Sequence, residues 1–430
     1  MYDLAIIGAG WAGFNACLRA KELNLKVALI EKGGVGGTCL NLGCIPTKSL
    51  IHASKIFSLV KNSADFGVNA SNPIVDFKKM QERKAKVVEG LQKGMRFLLK
   101  GVDFIEGEAK ITSAQEINVN GNIIQTRYIL LATGSKPLEL DALKFDGEKI
   151  LSSDQALSLK EVPSRLLIIG AGVIGCEFAS LFSNLGAKVT ITEKMPQVLP
   201  GEDSQVASRL EGIFRKKGIN VITKEGNLPK NLDDFDLVLA CVGRSANTEI
   251  SGLRQMGVAL EENRILTDEY LKTSIENIYA AGDCTSKIML AHFAGYQGRL
   301  AVDNIFSKTT KRSISYLNVP NCIFTDPEIS SVGLSEENAF KGGMDIAVKK
   351  FDFLGLGLAH IIDETQGFLK IVFDKNSGVV LGCSIIGPRA TEIISTLTLA
   401  LSCRLKVQDL SAVLFAHPTI SESISEALKQ

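Results

Sequence analysis

The chain has 430 residues, of which 45% are hydrophobic and 22% charged, an ordinary globular composition with length for about three domains. A disordered, fibrous or tail-like chain is excluded. With 48 Lys+Arg against 47 Asp+Glu the formal charge is +1, so no long-range field favours a phosphate backbone and nucleic acid is not an expected partner.

The opening residues, Met1 to Gly10, carry no basic leader or cleavage pattern, and no apolar run of about 18 residues follows. A cytoplasmic protein without a membrane partner is expected. Two stretches, Asp3 to Glu31 and Arg165 to Glu193, share one plan: apolar strand, glycine-rich turn, helix, second strand ending in an acidic residue. Each predicts a βαβ unit of a parallel sheet that binds a nucleotide.

In the first unit Gly8, Gly10 and Gly13 follow the strand Leu4–Ile7, and Glu31 stands eighteen residues after Gly13. Gly8 permits the turn, Gly10 lets backbone approach a pyrophosphate at the helix N-terminus, and Gly13 lets helix and strand touch. Glu31 would accept hydrogen bonds from a ribose diol. Gly170, Gly172, Gly175 and Glu193 repeat the arrangement at the same spacing, so two dinucleotides are implied. Glu193 would bond a 2′-hydroxyl and repel a 2′-phosphate, which favours NAD over NADP.

Between the units, Cys39 and Cys44 sit five residues apart in Gly36-Gly37-Thr38-Cys39-Leu40-Asn41-Leu42-Gly43-Cys44. A regular helix would hold them roughly 8–9 Å apart, beyond the ~7 Å limit for a disulfide, so a bridge requires an irregular turn. A loop that short gains only about 2 kcal/mol of chain entropy from closure, which suits redox turnover better than stability. His52 alone is insufficient to complete a zinc site, and no metal is expected. The other cysteines of the nine read as small buried hydrophobes.

Helices are predicted over Pro46–Lys61 and Phe77–Lys100, then short alternating strands from Asp103 to Ile129 with a turn at Asn120-Gly121. From about Val319 the pattern changes to strands near Leu369–Phe373 and Val379–Ile386 and apolar helices such as Thr391–Ser402, an α+β domain. His417 begins the last helix five residues before Glu422. Such a histidine could be a base oriented by the carboxylate, although a lone His is more often structural. His292 reads as ligand-proximal or capping, and His52 and His360 as structural.

Together Gly36–Lys48, both glycine fingerprints, Ala132-Thr133-Gly134, Ala280–Asp283, Met289–His292 and His417–Glu422 resemble the flavoprotein (pyridine nucleotide) disulfide oxidoreductases over essentially the whole chain. The resemblance implies an α/β fold of two Rossmann-like dinucleotide-binding domains, for FAD and NAD, followed by an α+β dimerisation domain. The expected spans are 1–145 with 274–318 for FAD, 146–273 for NAD and 319–430 for the interface of a homodimer. Residue by residue, Cys39 looks like the thiol that exchanges with a disulfide substrate and Cys44 like the one that contacts the flavin. His417 and Glu422 resemble the acid/base pair lent to the other subunit's cysteines, which reverses the expectation for a lone His. Lys48 and Glu177 match a buried ion pair near the flavin. Lys32, Gly37, Thr38, Ala109, Thr133, Gly134, Ser135, Asp283, Met289, Leu290, Ala291 and His292 match FAD contacts, and Gly243 matches a position beside bound NAD. The implied activity is oxidation of dihydrolipoamide, its lipoyl group free or on the lipoyl domain of a 2-oxoacid dehydrogenase or glycine-cleavage complex, through a Cys39–Cys44 disulfide and FAD to NAD.

Two departures stand out: the chain is shorter than the family's usual NAD domain between Val221 and Asp236, and it reads Thr47-Lys48-Ser49 where Ser-Lys-Ala is common. A glutathione or trypanothione reductase would carry basic residues where this chain has Glu193-Lys194-Met195-Pro196-Gln197. A mercuric reductase would end in a vicinal cysteine pair rather than Glu426-Ala427-Leu428-Lys429-Gln430. A non-catalytic flavin-bound subunit would not need the full set Cys39, Cys44, His417 and Glu422.

Overall fold

The computed structural model describes residues 1–224, 231–307 and 310–429. The first βαβ unit forms as its pattern dictates: strand β1 (Tyr2–Ile7), helix α1 (Trp11–Glu22) and strand β2 (Val27–Glu31). β1 pairs in parallel with β2, Leu4 opposite Val27 and Ile7 opposite Ile30. Both strands are buried almost throughout, as strands covered on two faces must be. The strand Asn122–Leu131 changes partner along its length. Its first residues pair antiparallel with Glu116–Val119 across the Asn120-Gly121 turn, and its later ones run parallel to β1. Both turn residues have positive φ (53° and 87°), the conformation that favours Asn-Gly in a tight hairpin.

The chain then crosses to a second sheet of five parallel strands, ordered Asn220–Thr223, Lys188–Glu193, Arg165–Ile169, Leu237–Ala240, Ile150–Ser152. Among the described residues this sheet has no antiparallel strand. The shortened stretch between Val221 and Asp236 falls partly on 225–230, outside the described residues. Strands Ser135–Pro137 and Arg244–Ala246 pair antiparallel where the chain leaves and returns. The return begins before the expected residue 274: Leu253, Val258 and Ile265 pack into the core of the first sheet, because their apolar side chains have burial partners there. Ile278–Ala280 then adds a parallel strand beside Asn122–Leu131.

The last domain is an antiparallel sheet of five strands, Asn321–Ile323, Ile329–Gly333, Val380–Ile386, Phe368–Asp374 and Ile346–Asp352. Helices Ala390–Ser402 and Glu422–Lys429 pack on it around Leu397, Ile420 and Ile424. Among the described residues no helix is long and apolar enough to cross a membrane.

Candidate active site

The two glycine fingerprints divide their labour as chain geometry requires. A Cβ on Gly8 (φ +105°) would meet the Ala132 carbonyl oxygen at 2.3 Å, and one on Gly13 would meet the Gly8 oxygen at 1.8 Å. Gly170 and Gly175 repeat this at 2.4 Å from the Cys241 oxygen and 2.0 Å from the Gly170 oxygen. These four glycines are fixed by contacts inside the protein. Gly10 and Gly172 differ: both line a cavity of about 1190 Å³, and a Cβ on Gly172 would meet nothing within 4 Å. Each is also the N-cap of its helix, without a side-chain capping bond. The free N–H groups of two helix starts are thus open to a phosphate group.

The acidic residues that end each unit act alike. Glu31 accepts from Ala9 N at 2.6 Å and Gly33 N at 2.7 Å. Glu193 accepts from Ala171 N and Met195 N, both at 2.9 Å. A carboxylate has about four acceptor positions, so each is held in place with capacity left for a ribose diol. These cradles fit two dinucleotides.

The cavity joins both units at the carboxyl ends of their strands, where open α/β sheets place ligands. Its wall includes Thr38, Gly134, Gly243, Met289, Leu290, Ala291 and His292. Asp283 is also there, accepting from Ser135 Oγ at 2.6 Å; burial pushes its carboxyl up, against the pull of Ser135 and Arg244. Burial likewise pushes the His292 imidazole down. Gly37 packs on Gly10 and Ser135 donates to Asp283, both in this wall, while the Thr133 hydroxyl donates to the Asn247 carbonyl oxygen. Lys32 is instead exposed and bonded to Glu108, and Ala109 is buried in the core of the first sheet. The structure does not bring these last two to the cavity wall.

The cysteines meet across a break in helical structure. Helix α2 (Gly37–Asn41) carries Cys39 and helix α3 (Cys44–Lys61) starts on Cys44. Leu42 and Gly43 between them leave the helical region. A Cβ on Gly43 would meet the Thr38 oxygen at 2.9 Å, so this irregular turn needs glycine. α3 thus begins two residues earlier than the sequence suggests. Both cysteines are free thiols here, and each acts on the titration of the other, in opposite directions. The neighbouring Cys39 thiol, helped by the charge of Lys48 and opposed by burial and Glu177, holds the Cys44 thiol below its ordinary value. The neighbouring Cys44 and burial push Cys39 up. These directions favour Cys44 as the thiolate of the pair.

One further group reaches the pair. The indole Nε1–H of Trp11 donates to Cys39 Sγ at 3.0 Å. Trp11 occupies a free position of the first fingerprint, and sequence reasoning passed over it; its place as the only tryptophan in the chain was the available signal. Lys48 and Glu177 pair at 2.7 Å beside the cysteines, with Glu177 buried.

His417 and Glu422 are elsewhere. His417 Nδ1 lies 2.9 Å from Glu422 Oε1, and Glu422 Oε2 accepts from Thr419 N at 2.8 Å. Those two bonds, the Thr419 one foremost, hold the Glu422 carboxyl below its usual range. The imidazole is 77% exposed and outside the cavity wall. Within one chain, therefore, the oriented base and the thiol pair are separate.

These features agree with what the chain is similar to. It matches the pyridine nucleotide-disulphide oxidoreductase family over residues 2–298 and that family's dimerisation domain over residues 319–428. It is 39% identical to a dihydrolipoyl dehydrogenase of Geobacillus stearothermophilus, over 99% of this chain and 95% of the other. Identity to one of Bacillus subtilis (strain 168) is 38%, with the same coverage. It superposes with a TM-score of 0.89 and 30% identity on the HOCl-induced flavoprotein disulfide reductase RclA from Escherichia coli, covering 100% of this chain and 99% of that one. From its two glycine cradles to its dimerisation domain, the chain belongs to the pyridine nucleotide-disulphide oxidoreductase family.

Proposed function

We propose that the protein oxidises dihydrolipoamide to lipoamide and delivers the electrons to NAD, working as a homodimer. The observation that carries this reading is the Cys39–Cys44 pair, with Lys48 beside it, in the cavity that joins both dinucleotide cradles. Glu31 and the Gly10 backbone would hold FAD, and Glu193 and the Gly172 backbone NAD. FAD, when bound, supplies the two-electron acceptor between the dithiol and NAD.

The exchange itself uses the chain's own groups. His417 of a second copy, oriented by Glu422, takes a proton from a substrate thiol. The resulting thiolate attacks Cys39 Sγ of the Cys39–Cys44 disulfide, and Cys44 leaves as a thiolate stabilised by Lys48. The second substrate thiol, deprotonated in turn, attacks the substrate sulfur bound to Cys39 and expels the Cys39 sulfur, which takes up the proton. One disulfide is formed, one is broken, and two electrons rest on Cys39 and Cys44. This chemistry takes a lipoyl group that is free or carried on a lipoyl domain, since only the dithiol need enter.

Anaerobic mixing with dihydrolipoamide, then addition of NAD or NADP, tests the reading. NADH with little NADPH is expected. A flavin left oxidised by dihydrolipoamide but reduced by NADH would overturn it in favour of another disulfide substrate.

A further inference from the structure

Tryptophan is largely buried in most folds, yet Trp11 is 37% exposed in the wall of the cavity that holds the thiols. Its N–H finds a partner, as such groups usually do, and that partner is the sulfur of Cys39 at 3.0 Å. The contact is built. A Cβ on Gly37 would lie 2.7 Å from Gly10 Cα, so only two glycines let the start of α1 come this close to α2. Phe14, one helical turn on and buried, packs edge-on against the indole, centroids 6.1 Å apart at 70°.

We propose that Trp11 is a positioning residue for Cys39: its indole N–H holds the sulfur at the cavity wall and stays as the donor to the Cys39 thiolate once the thiol proton has left. When that proton is gone, the Cys44 thiolate repels the new charge, and Trp11 and Lys48 are the groups that favour it. The same N–H serves the Cys39 sulfur as leaving group when a mixed disulfide on it is broken. The inference rests on the reading of Cys39 as the exchanging thiol.

The test is alkylation of the flavin-loaded protein, reduced with a phosphine, desalted anaerobically and pulsed with iodoacetamide across a pH series, Cys39 being distinguished from Cys44 by fragment masses. Removing one donor should raise the Cys39 midpoint by about one pH unit. A less acidic thiol is also a stronger nucleophile, with a Brønsted slope of about 0.4–0.5. Trp11→Phe should therefore alkylate about threefold more slowly than the wild type on the acid side and about threefold faster on the alkaline side, with the curves crossing. Superimposable curves, or a uniform change at every pH, overturn the proposal. Because the chain has one tryptophan, replacing tryptophan globally by 3-benzothienylalanine exchanges N–H for sulfur at this position alone and keeps the ring shape. It should reproduce the crossing, and it decides the matter if Trp11→Phe loses its flavin; wild-type behaviour would show that shape, not the N–H, is what matters. Neither lipoyl compound nor nicotinamide is present, so inactivity towards dihydrolipoamide would leave this result standing, and superimposable curves would leave the dehydrogenase reading standing.

Discussion

Lys48 Nζ is placed between two partners, 2.7 Å from Glu177 Oε2 and 5.0 Å above the ring of Phe324, while Glu177 Oε1 accepts the Phe324 N–H at 2.9 Å. One ion pair thus ties α3 to the helix Val173–Asn184 of the second domain and to the start of the third. Both charges act on Cys44 with opposite signs, Lys48 lowering its titration and Glu177 raising it. Lys48→Met should raise the Cys44 midpoint and Glu177→Gln should lower it. Ultraviolet thiolate absorbance of the reduced protein against pH checks this. Shifts of equal sign would show that the pair acts through structure rather than charge.

The parts of the site readable in the sequence are those that local chain geometry decides. Gly8, Gly13, Gly170 and Gly175 are fixed by steric contacts within a few residues or one strand away, so their spacing alone announces them. Glu31 and Glu193 follow from the length of one helix and one strand. The break between Cys39 and Cys44 was legible because no helix brings such a pair together. Trp11 was not, since its partner lies 28 residues on and reaches it only through the packing of Gly10 on Gly37. Lys32 and Ala109 entered by resemblance alone, and one found an exposed carboxylate while the other found a core. The early return of Leu253 and Ile265 to the first sheet is likewise a choice of burial partner, which periodicity does not encode.

Glu422 should matter through its charge. Its carboxyl is held below the usual range by the Thr419 N–H and His417, so the charge opposing the imidazolium is present at neutral pH and is lost only as pH falls through that lowered value. Glu422→Gln should reduce kcat/KM for dithiol oxidation about 100-fold near neutrality. The ratio of wild type to variant should shrink towards one at acid pH. A constant ratio across the pH series would remove the carboxylate's electrostatic role.

The separation of His417 from the cavity makes a prediction about assembly. His417→Ala and Cys44→Ser homodimers should each be inactive. Chains of the two variants, dissociated and reassociated at equal concentration, should recover about a quarter of wild-type activity, because half of the dimers are mixed and each mixed dimer has one intact site of two. No recovery, with mixed dimers confirmed by mass, would place the base and the thiols of one site in the same chain.

Glu193 is buried and bonded to two backbone N–H groups at 2.9 Å, so its orientation does not depend on the nucleotide. Glu193→Gln keeps the shape and removes the charge that bonds a diol and repels a 2′-phosphate. The ratio of kcat/KM for NAD to that for NADP should fall about tenfold. An unchanged ratio would assign the selection to other residues of the loop after Glu193.

Away from the site, Lys370 is the buried charge most exposed to a test. It is 1% exposed and bonds Asp203, 0% exposed, at 2.7 Å and Glu336 at 2.5 Å. Asp203 also caps the helix Ser204–Lys216 through Gln205 N and Val206 N, so the cluster fastens the second domain to the third. Burial alone would push the ammonium down, but the two carboxylates more than offset that and hold it above its ordinary value. Its contribution is therefore complete below the unfolded lysine value and is lost only as pH rises through the raised one, leaving neutral stability insensitive to pH at this position. Lys370→Met strands a buried carboxylate and Asp203→Asn takes away one partner of a buried cation, each costing about 3 kcal/mol or more. Replacing both removes the unpaired charges together, so the Tm of the double variant should lie above that of Lys370→Met rather than below it. A double variant as unstable as the sum of the two would mean that the residues act independently, and that the fastening of the two domains rests on the surrounding apolar contacts instead.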